Sequence, residues 1–107
     1  MVSRYICRPI VTLLLLCSAP AFAWDGVKGG KITGLDVTNA QNFGFRVYMD
    51  GTPMCGTSES WAYINKDWDN YQAMVSLLTS AYLAGKTVTI YTNKVGQNCE
   101  IGYVAMR

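Results

Sequence analysis

The segment FGFRVYMDG, residues 43–51, carries the clearest β signal of the chain. Apolar and polar residues alternate along it with the period of two that is typical of a half-buried strand. We expect Phe43, Phe45, Val47 and Met49 to face the core, and Arg46 and Tyr48 to face the other way. Asp50 and Gly51 end the strand, because an Asp-Gly pair favours a type I′ turn with positive φ at both central residues.

A helix follows this strand after a weaker β segment. Residues 52–64 predict a short or interrupted strand, since Pro53 cannot donate a hydrogen bond inside a sheet. Residues 67–84 predict an amphipathic helix with Asp67 as its N-cap and Gly85 as the glycine that ends it. Its apolar stripe at i, i+3, i+4 spacing is Tyr71, Met74, Val75, Leu78, Ala81 and Tyr82.

The remaining segments complete a β-β-β-α-β-β order. Residues 24–31 are rich in glycine and charge and predict a flexible lead-in. Three more strands are expected at residues 31–37, 87–92 and 99–106, with a hairpin loop at 93–98. The fold class is therefore mostly β with one helix.

Two architectures fit this order of elements. The favoured one is an OB-like five-stranded barrel capped by the helix. The alternative is a small α+β sheet with one helix packed on one face. The order of the elements alone does not show which strands pair, so both remain open.

Residues 1–23 have the pattern of a secretory signal peptide. Arg4 and Arg8 precede an apolar run at residues 10–17, and Ala21-Phe22-Ala23 supplies the small residues of a cleavage site. The apolar run is too short to span a bilayer of about 30 Å. We therefore expect cleavage after Ala23, a single OB-like domain at residues 24–107, and a secreted or periplasmic protein without a membrane span.

Composition narrows the possible functions. The chain has no histidine, which excludes catalysis by imidazole and histidine-ligated metals. Without Arg4 and Arg8 the remaining seven basic residues balance seven acidic ones, so a nucleic-acid partner is not expected. The serines have no neighbouring base, and the acidic residues are scattered or explained by helix capping. We expect no enzyme activity, no metal and no cofactor.

Cys55 and Cys99 are the two cysteines that remain after cleavage. In an oxidising compartment they most simply form one disulfide. The alternative is a redox pair or a reactive thiolate. Neither cysteine lies in a C-x-x-C motif and no histidine is present to activate a thiol, which favours the structural bond.

Aromatic residues supply the candidate ligand site. Exposed Trp or Tyr rings are able to stack on sugars or bases. We expect most of the aromatic residues to pack in the core, but three have positions where their rings could be exposed. The candidate binding residues are Trp68, Tyr91 and Tyr48, with Asn65 and Asn93 as hydrogen-bond partners.

Two resemblances add to this interpretation. The segment from Trp61 to Val88 resembles the B subunits of AB5-type toxins of the subtilase and pertussis type. The matching positions are Tyr71, Met74-Val75, Tyr82 and Gly85-Lys86-Thr87-Val88. The chain from residue 24 onward is also similar to small exported bacterial proteins of unassigned function, through Met54-Cys55-Gly56, Ser60-Trp61-Ala62-Tyr63, Leu77-Leu78, Ile90-Tyr91 and Cys99-x-Ile-Gly-Tyr103.

The toxin resemblance implies an OB-like fold, a ring pentamer and binding of sialylated glycans. It assigns no binding residue here, because residues 25–30 differ from the polar strand that helps form the family's sugar pocket. The function expected from sequence is a secreted, non-enzymatic binding module for a glycan or protein receptor, with homo-oligomerisation. The alternative is a small structural or accessory envelope protein of unknown ligand.

Overall fold

The computed structural model describes residues 24–107, and the expected signal peptide at residues 1–23 lies outside the described residues. The described chain contains six strands and one α-helix, and a short 3-10 helix, Gln41–Phe43, precedes the third strand. The strands are β1 Gly26–Lys31, β2 Gly34–Val37, β3 Phe45–Tyr48, β4 Trp61–Tyr63, β5 Thr87–Val95 and β6 Asn98–Ala105. The helix, α1, spans Tyr71–Ala84.

All six strands form one sheet in the order β1-β5-β6-β4-β3-β2. Neighbouring strands are antiparallel except β4 and β6, which are parallel. The sheet is open, with β1 and β2 at its two edges. The mostly β class with one helix is confirmed, and the open sheet matches the α+β alternative rather than a closed barrel.

Residues 26–31 form a strand, and the prediction of a flexible lead-in was wrong. β1 pairs with β5 from Gly26↔Thr92 to Lys31↔Thr87. The glycines of β1 have low β propensity. Gly26 is nevertheless required for close packing, because a Cβ there would collide with the carbonyl oxygen of Met54. Pairing with a long neighbour therefore overrides local propensity.

The core lies between α1 and one face of the sheet. The buried residues that pack together there include Phe45, Val47, Met49, Ala62, Ile64, Leu78, Ala81, Val88, Ile90 and Ile101. Val88 and Ile90 face inward as predicted. Phe43 and Tyr82 do not join them, since they are 37% and 40% exposed.

The exposure of Phe43 and the exposure of Tyr82 have different causes. Phe43 belongs to the 3-10 helix before β3, so the strand alternation does not apply to it, and its ring meets Tyr63 edge-on at 4.8 Å. Tyr82 lies in the last turn of α1, beside the buried stripe of the helix that contains Leu78 and Ala81.

The N-terminus of α1 differs from the prediction. The helix begins at Tyr71, after a turn in which the Trp68 N–H donates to the Asn65 carbonyl oxygen at 3.1 Å. Asp67 is not the N-cap, because it lies within this turn and its N–H donates to Asn65 Oδ1 at 2.9 Å. Gly85 ends the helix with φ of 66°, as predicted.

The turns follow the sequence signals closely. Asp50 and Gly51 have φ of 60° and 66°, which confirms the turn with positive φ. The strand after it is interrupted as expected, since β4 has three residues. The β5–β6 connection is tighter than predicted. Val95 pairs with Asn98, and a two-residue turn matches the twist of its flanking strands better than a longer loop.

The Cys55–Cys99 disulfide is present, with 5.7 Å between the two Cα atoms. It joins the loop after β3 to the beginning of β6, and both cysteines are buried. The predicted structural bond is confirmed.

No helix within residues 24–107 has the length and apolar character needed to cross a bilayer.

Candidate functional site

The side of the sheet opposite the buried core presents aromatic and polar side chains. Residues paired directly across antiparallel strands share a face, as do alternate residues along one strand. Tyr48 pairs with Trp61, Asn93 with Glu100, and Tyr91 with Tyr103. We call this side the outer face; its members are Arg46, Tyr48, Trp61, Tyr63, Tyr91, Asn93, Glu100 and Tyr103.

A groove opens where β4 stops covering β6. β4 pairs with β6 at Cys99 and Glu100, and the chain then turns away toward α1. A pocket of about 350 Å³ lies here, lined by Trp24, Trp68, Asp69, Asn70, Met74, Asn93, Glu100 and Gly102. A second pocket of about 410 Å³ shares Asn70, Met74 and Gly102 and continues past Leu77 and Tyr103. We call the two together the groove.

One wall of the groove is an aromatic cluster. Tyr91 and Tyr103 stack with ring centroids 4.7 Å apart and an angle of 18° between their planes. The Trp24 ring lies 5.8 Å from Tyr91 and 6.5 Å from Tyr103. Trp24 fits against β6 because Gly102 has no side chain: a Cβ there would lie 2.6 Å from Trp24 Cζ3.

Gly102 is also the extra residue of a β-bulge. Thr92 pairs with Ile101 and Tyr91 pairs with Tyr103, so Gly102 has no partner on β5. A bulge increases the local twist of a strand and redirects the side chains beside it. The bulge and the missing side chain together create the recess that holds Trp24.

Trp68, which is 42% exposed, forms a second wall of the first pocket. Trp68 lies in the turn between β4 and α1. Asn65 organises this turn, because its Oδ1 accepts the Asp67 N–H and its carbonyl oxygen accepts the Trp68 N–H. The same side chain donates from Nδ2 to Glu100 Oε2 at 3.2 Å. Asn65 thus links the Trp68 wall to the floor of the groove.

The floor carries a fixed carboxylate. Glu100 Oε2 accepts the Asn65 amide and also the Tyr63 hydroxyl at 3.1 Å. Burial of the Tyr63 ring, together with this hydrogen bond and the charge of Glu100, raises the pKa of Tyr63 to about 12. Tyr63 therefore stays a hydrogen-bond donor at neutral pH and orients the carboxylate. Neither bond uses the second oxygen, Oε1.

Two of the five candidate binding residues line the groove, and two more contact residues that line it. Trp68 and Asn93 line it, Asn65 holds Glu100, and Tyr91 packs against Trp24. Tyr48 lies apart, on β3, three strands and about 14 Å from β5. Its hydroxyl donates to Asp36 Oδ2 at 2.8 Å, and this hydrogen bond is the main reason that the pKa of Tyr48 is raised.

Sequence reasoning missed Trp24, Glu100, Gly102 and Tyr103. Trp24 was assigned to a flexible segment, so its ring had no predicted position. A signal for Glu100 did exist, because Cys99 and Ile101 are apolar and alternation along β6 turns Glu100 outward beside Asn93. The bulge at Gly102 follows from pairing with β5 and left no local signal.

A second aromatic group occupies the β3–β4 side of the outer face. Phe43 meets Trp61 edge-on, with ring centroids 6.3 Å apart. The Arg46 guanidinium lies 4.3 Å from the Trp61 ring centroid, and Arg46 Nε donates to the Phe43 carbonyl oxygen at 2.9 Å. Because the Arg46 guanidinium covers it, this face of the Trp61 ring is not open for stacking.

Within residues 24–107 no group of three or more acidic or cysteine side chains is arranged to hold a metal ion. The groove has instead the features of a site for an organic ligand, with aromatic walls and a few placed polar groups. No family model, no curated protein and no solved structure matches the chain.

Proposed function

We propose that this protein is an exported, non-enzymatic binding module that holds a glycan in the groove between Trp24 and Trp68. The observation that carries the proposal is the placement of two indole rings on one pocket, with the Glu100 carboxylate and the Asn93 amide also lining it. Sugars present apolar C–H faces that stack on aromatic rings and hydroxyls that bind amides and carboxylates.

The shape of the groove supports an oligosaccharide. The two pockets share Asn70, Met74 and Gly102 and together extend along the first half of α1. The first pocket is the more polar, with Asn93 and Glu100, and the second adds Leu77 and Val104.

Export is part of the same proposal. It depends on the signal at residues 1–23, and the Cys55–Cys99 disulfide is compatible with an oxidising compartment. The toxin resemblance adds a ring of five copies, in which several weak sites would act together. The solution mass of the purified protein, measured by light scattering, tests that arrangement.

The experiment for the glycan site is an array of immobilised oligosaccharides, probed with the purified, disulfide-bonded protein and with Trp68→Ala. The matched control is Tyr82→Ala, because Tyr82 is 40% exposed and Trp68 is 42% exposed, but Tyr82 lies outside the groove. We expect binding by the parent and the control and loss of binding in Trp68→Ala. No bound glycan would instead favour an accessory envelope protein without a sugar ligand, and equal binding by all three would show that the glycan does not use the groove.

A further inference from the structure

We propose that the glycan carries a protonated amine, as in an oligomer of glucosamine, and that the groove discriminates against sialylated glycans. This inference rests on the proposed function and names the ligand class of the same site. It departs from the sialic acid that the toxin resemblance implies.

The charged side chains that line the groove are of one sign. Asp69 and Glu100 are the two ionisable side chains that line the first pocket within the described chain, and both are acidic. The second pocket adds no charged lining residue. A sialic acid carboxylate in this groove would face two carboxylates without a lysine or arginine to bind it, whereas an ammonium group would be attracted to both.

The Glu100 carboxylate is oriented for a donor from the ligand. Two donors of the protein, the Tyr63 hydroxyl and the Asn65 amide, both bind Oε2. In residues 24–107 no side-chain hydrogen bond reaches Oε1 of the same carboxylate. An ammonium group has three donors and no acceptor, so it complements this oxygen better than a hydroxyl, and a charge-assisted bond is the stronger one.

The aromatic wall favours a cation as well. The faces of Trp and Tyr rings are electron-rich and attract an ammonium group within about 6 Å of the ring centroid. Trp24, Tyr91 and Tyr103 lie within 4.7 to 6.5 Å of one another, next to the pocket that contains Glu100. Trp24 and the two carboxylates line the same pocket, so they would act on the same ligand charge.

The test compares two oligomers of matched length that differ only at the nitrogen. Oligomers of glucosamine carry the amine, and oligomers of N-acetylglucosamine carry a neutral amide. Calorimetric titration of each into the protein, at about pH 6 where the sugar amine is protonated and carboxylates are ionised, gives two dissociation constants. A sialylated oligosaccharide is the third ligand.

Glu100→Gln is the informative variant, because the amide oxygen of Gln still accepts the bonds from Tyr63 and Asn65 but the charge is gone. Glu59→Gln is the matched control, since it removes one acidic charge outside the groove. We expect the amine oligomer to bind at least about tenfold more tightly than the acetylated one, and Glu100→Gln to reduce this difference severalfold. The control should preserve the difference, and the sialylated ligand should not bind.

The outcomes separate the two proposals. Equal affinity for both oligomers, loss of the difference in Glu59→Gln, or tighter binding of the sialylated ligand would overturn the amine inference and leave a glycan site intact. If no glycan bound, in these titrations or on the array, both the site and its proposed specificity would be overturned.

Discussion

Trp24 reaches the groove because Gly102 has no side chain. A Cβ at residue 102 would lie 2.6 Å from Trp24 Cζ3, closer than van der Waals contact allows, so the indole must move. We predict that Gly102→Ala displaces Trp24 and weakens glycan binding about tenfold, while unfolding free energy falls by less than about 1 kcal/mol.

Calorimetry and chemical denaturation of Gly102→Ala measure the two effects. Gly29→Ala is a suitable control, because a Cβ there would meet its nearest atom, Thr89 Oγ1, at 3.7 Å. Unchanged affinity in Gly102→Ala would show that the position of Trp24 is irrelevant to binding.

Tyr63 makes a prediction that depends on pH. Its pKa is about 12 in the folded protein, through burial and then through Glu100, against about 10 in an unfolded chain. Between these values the unfolded state loses the proton and the folded state keeps it, so stability falls as pH rises from about 10 to about 12. Below about pH 10 both states are protonated, so the contribution of Tyr63 is fully present and stability no longer changes with pH through this group.

Absorbance titration of tyrosinate checks this directly. We expect one tyrosine to ionise near pH 12 in the parent protein and that late step to disappear in Tyr63→Phe. A titration in which Tyr63→Phe retains the late step would contradict the assignment.

At the scale of elements, some strands and the helix could be predicted from local sequence patterns, whereas β1 depends on pairing with another strand. Alternation along residues 45–49, the Asp-Gly turn and the apolar stripe of α1 are local signals, and each gave the correct element. β1 is defined by its partner, since its glycines have low β propensity and its hydrogen bonds go to β5. Because β1 was not predicted, the position of Trp24, which lies just before it, was not predicted either. One of the three rings of the aromatic wall was therefore beyond the reach of pattern reasoning.

Thr92 joins the elements that hold this wall. It is fully buried, and its hydroxyl donates to the Met54 carbonyl oxygen at 3.0 Å, with the Gly26 carbonyl oxygen 3.3 Å away. Thr92→Val keeps the shape but leaves these buried oxygens without their donor. We predict a loss of about 1–3 kcal/mol in unfolding free energy by denaturant titration.

Thr89→Val is the matched control on β5, because Thr89 is only partly buried and is not one of the side chains that tie β1 to the loop. It should change stability by less than about 0.5 kcal/mol. Equal losses in the two variants would mean that the Thr92 hydroxyl does not join β1 to the loop after β3.

At the scale of the whole molecule, the disulfide holds the long loop after β3 onto the sheet. Cys55 and Cys99 are 44 residues apart in sequence, and closing a loop of that length stabilises the fold by about 4 kcal/mol in the chain-entropy model. We predict that replacing both cysteines by alanine lowers the unfolding free energy by roughly that amount. A change below about 1 kcal/mol would show that the sheet and helix suffice without the bond.

The central claim, a glycan in the groove between Trp24 and Trp68, has an internal control in the chain itself. The protein has three tryptophans, and each gives one indole N–H signal in a proton–nitrogen correlation spectrum. Trp24 and Trp68 line the groove. Trp61, on β4, has its ring covered by the Arg46 guanidinium. Titration with glucosamine and N-acetylglucosamine oligomers should shift the signals of Trp24 and Trp68 together, with saturation, and leave the Trp61 signal in place. A shift of Trp61 alone, or no shift at all, would contradict the account.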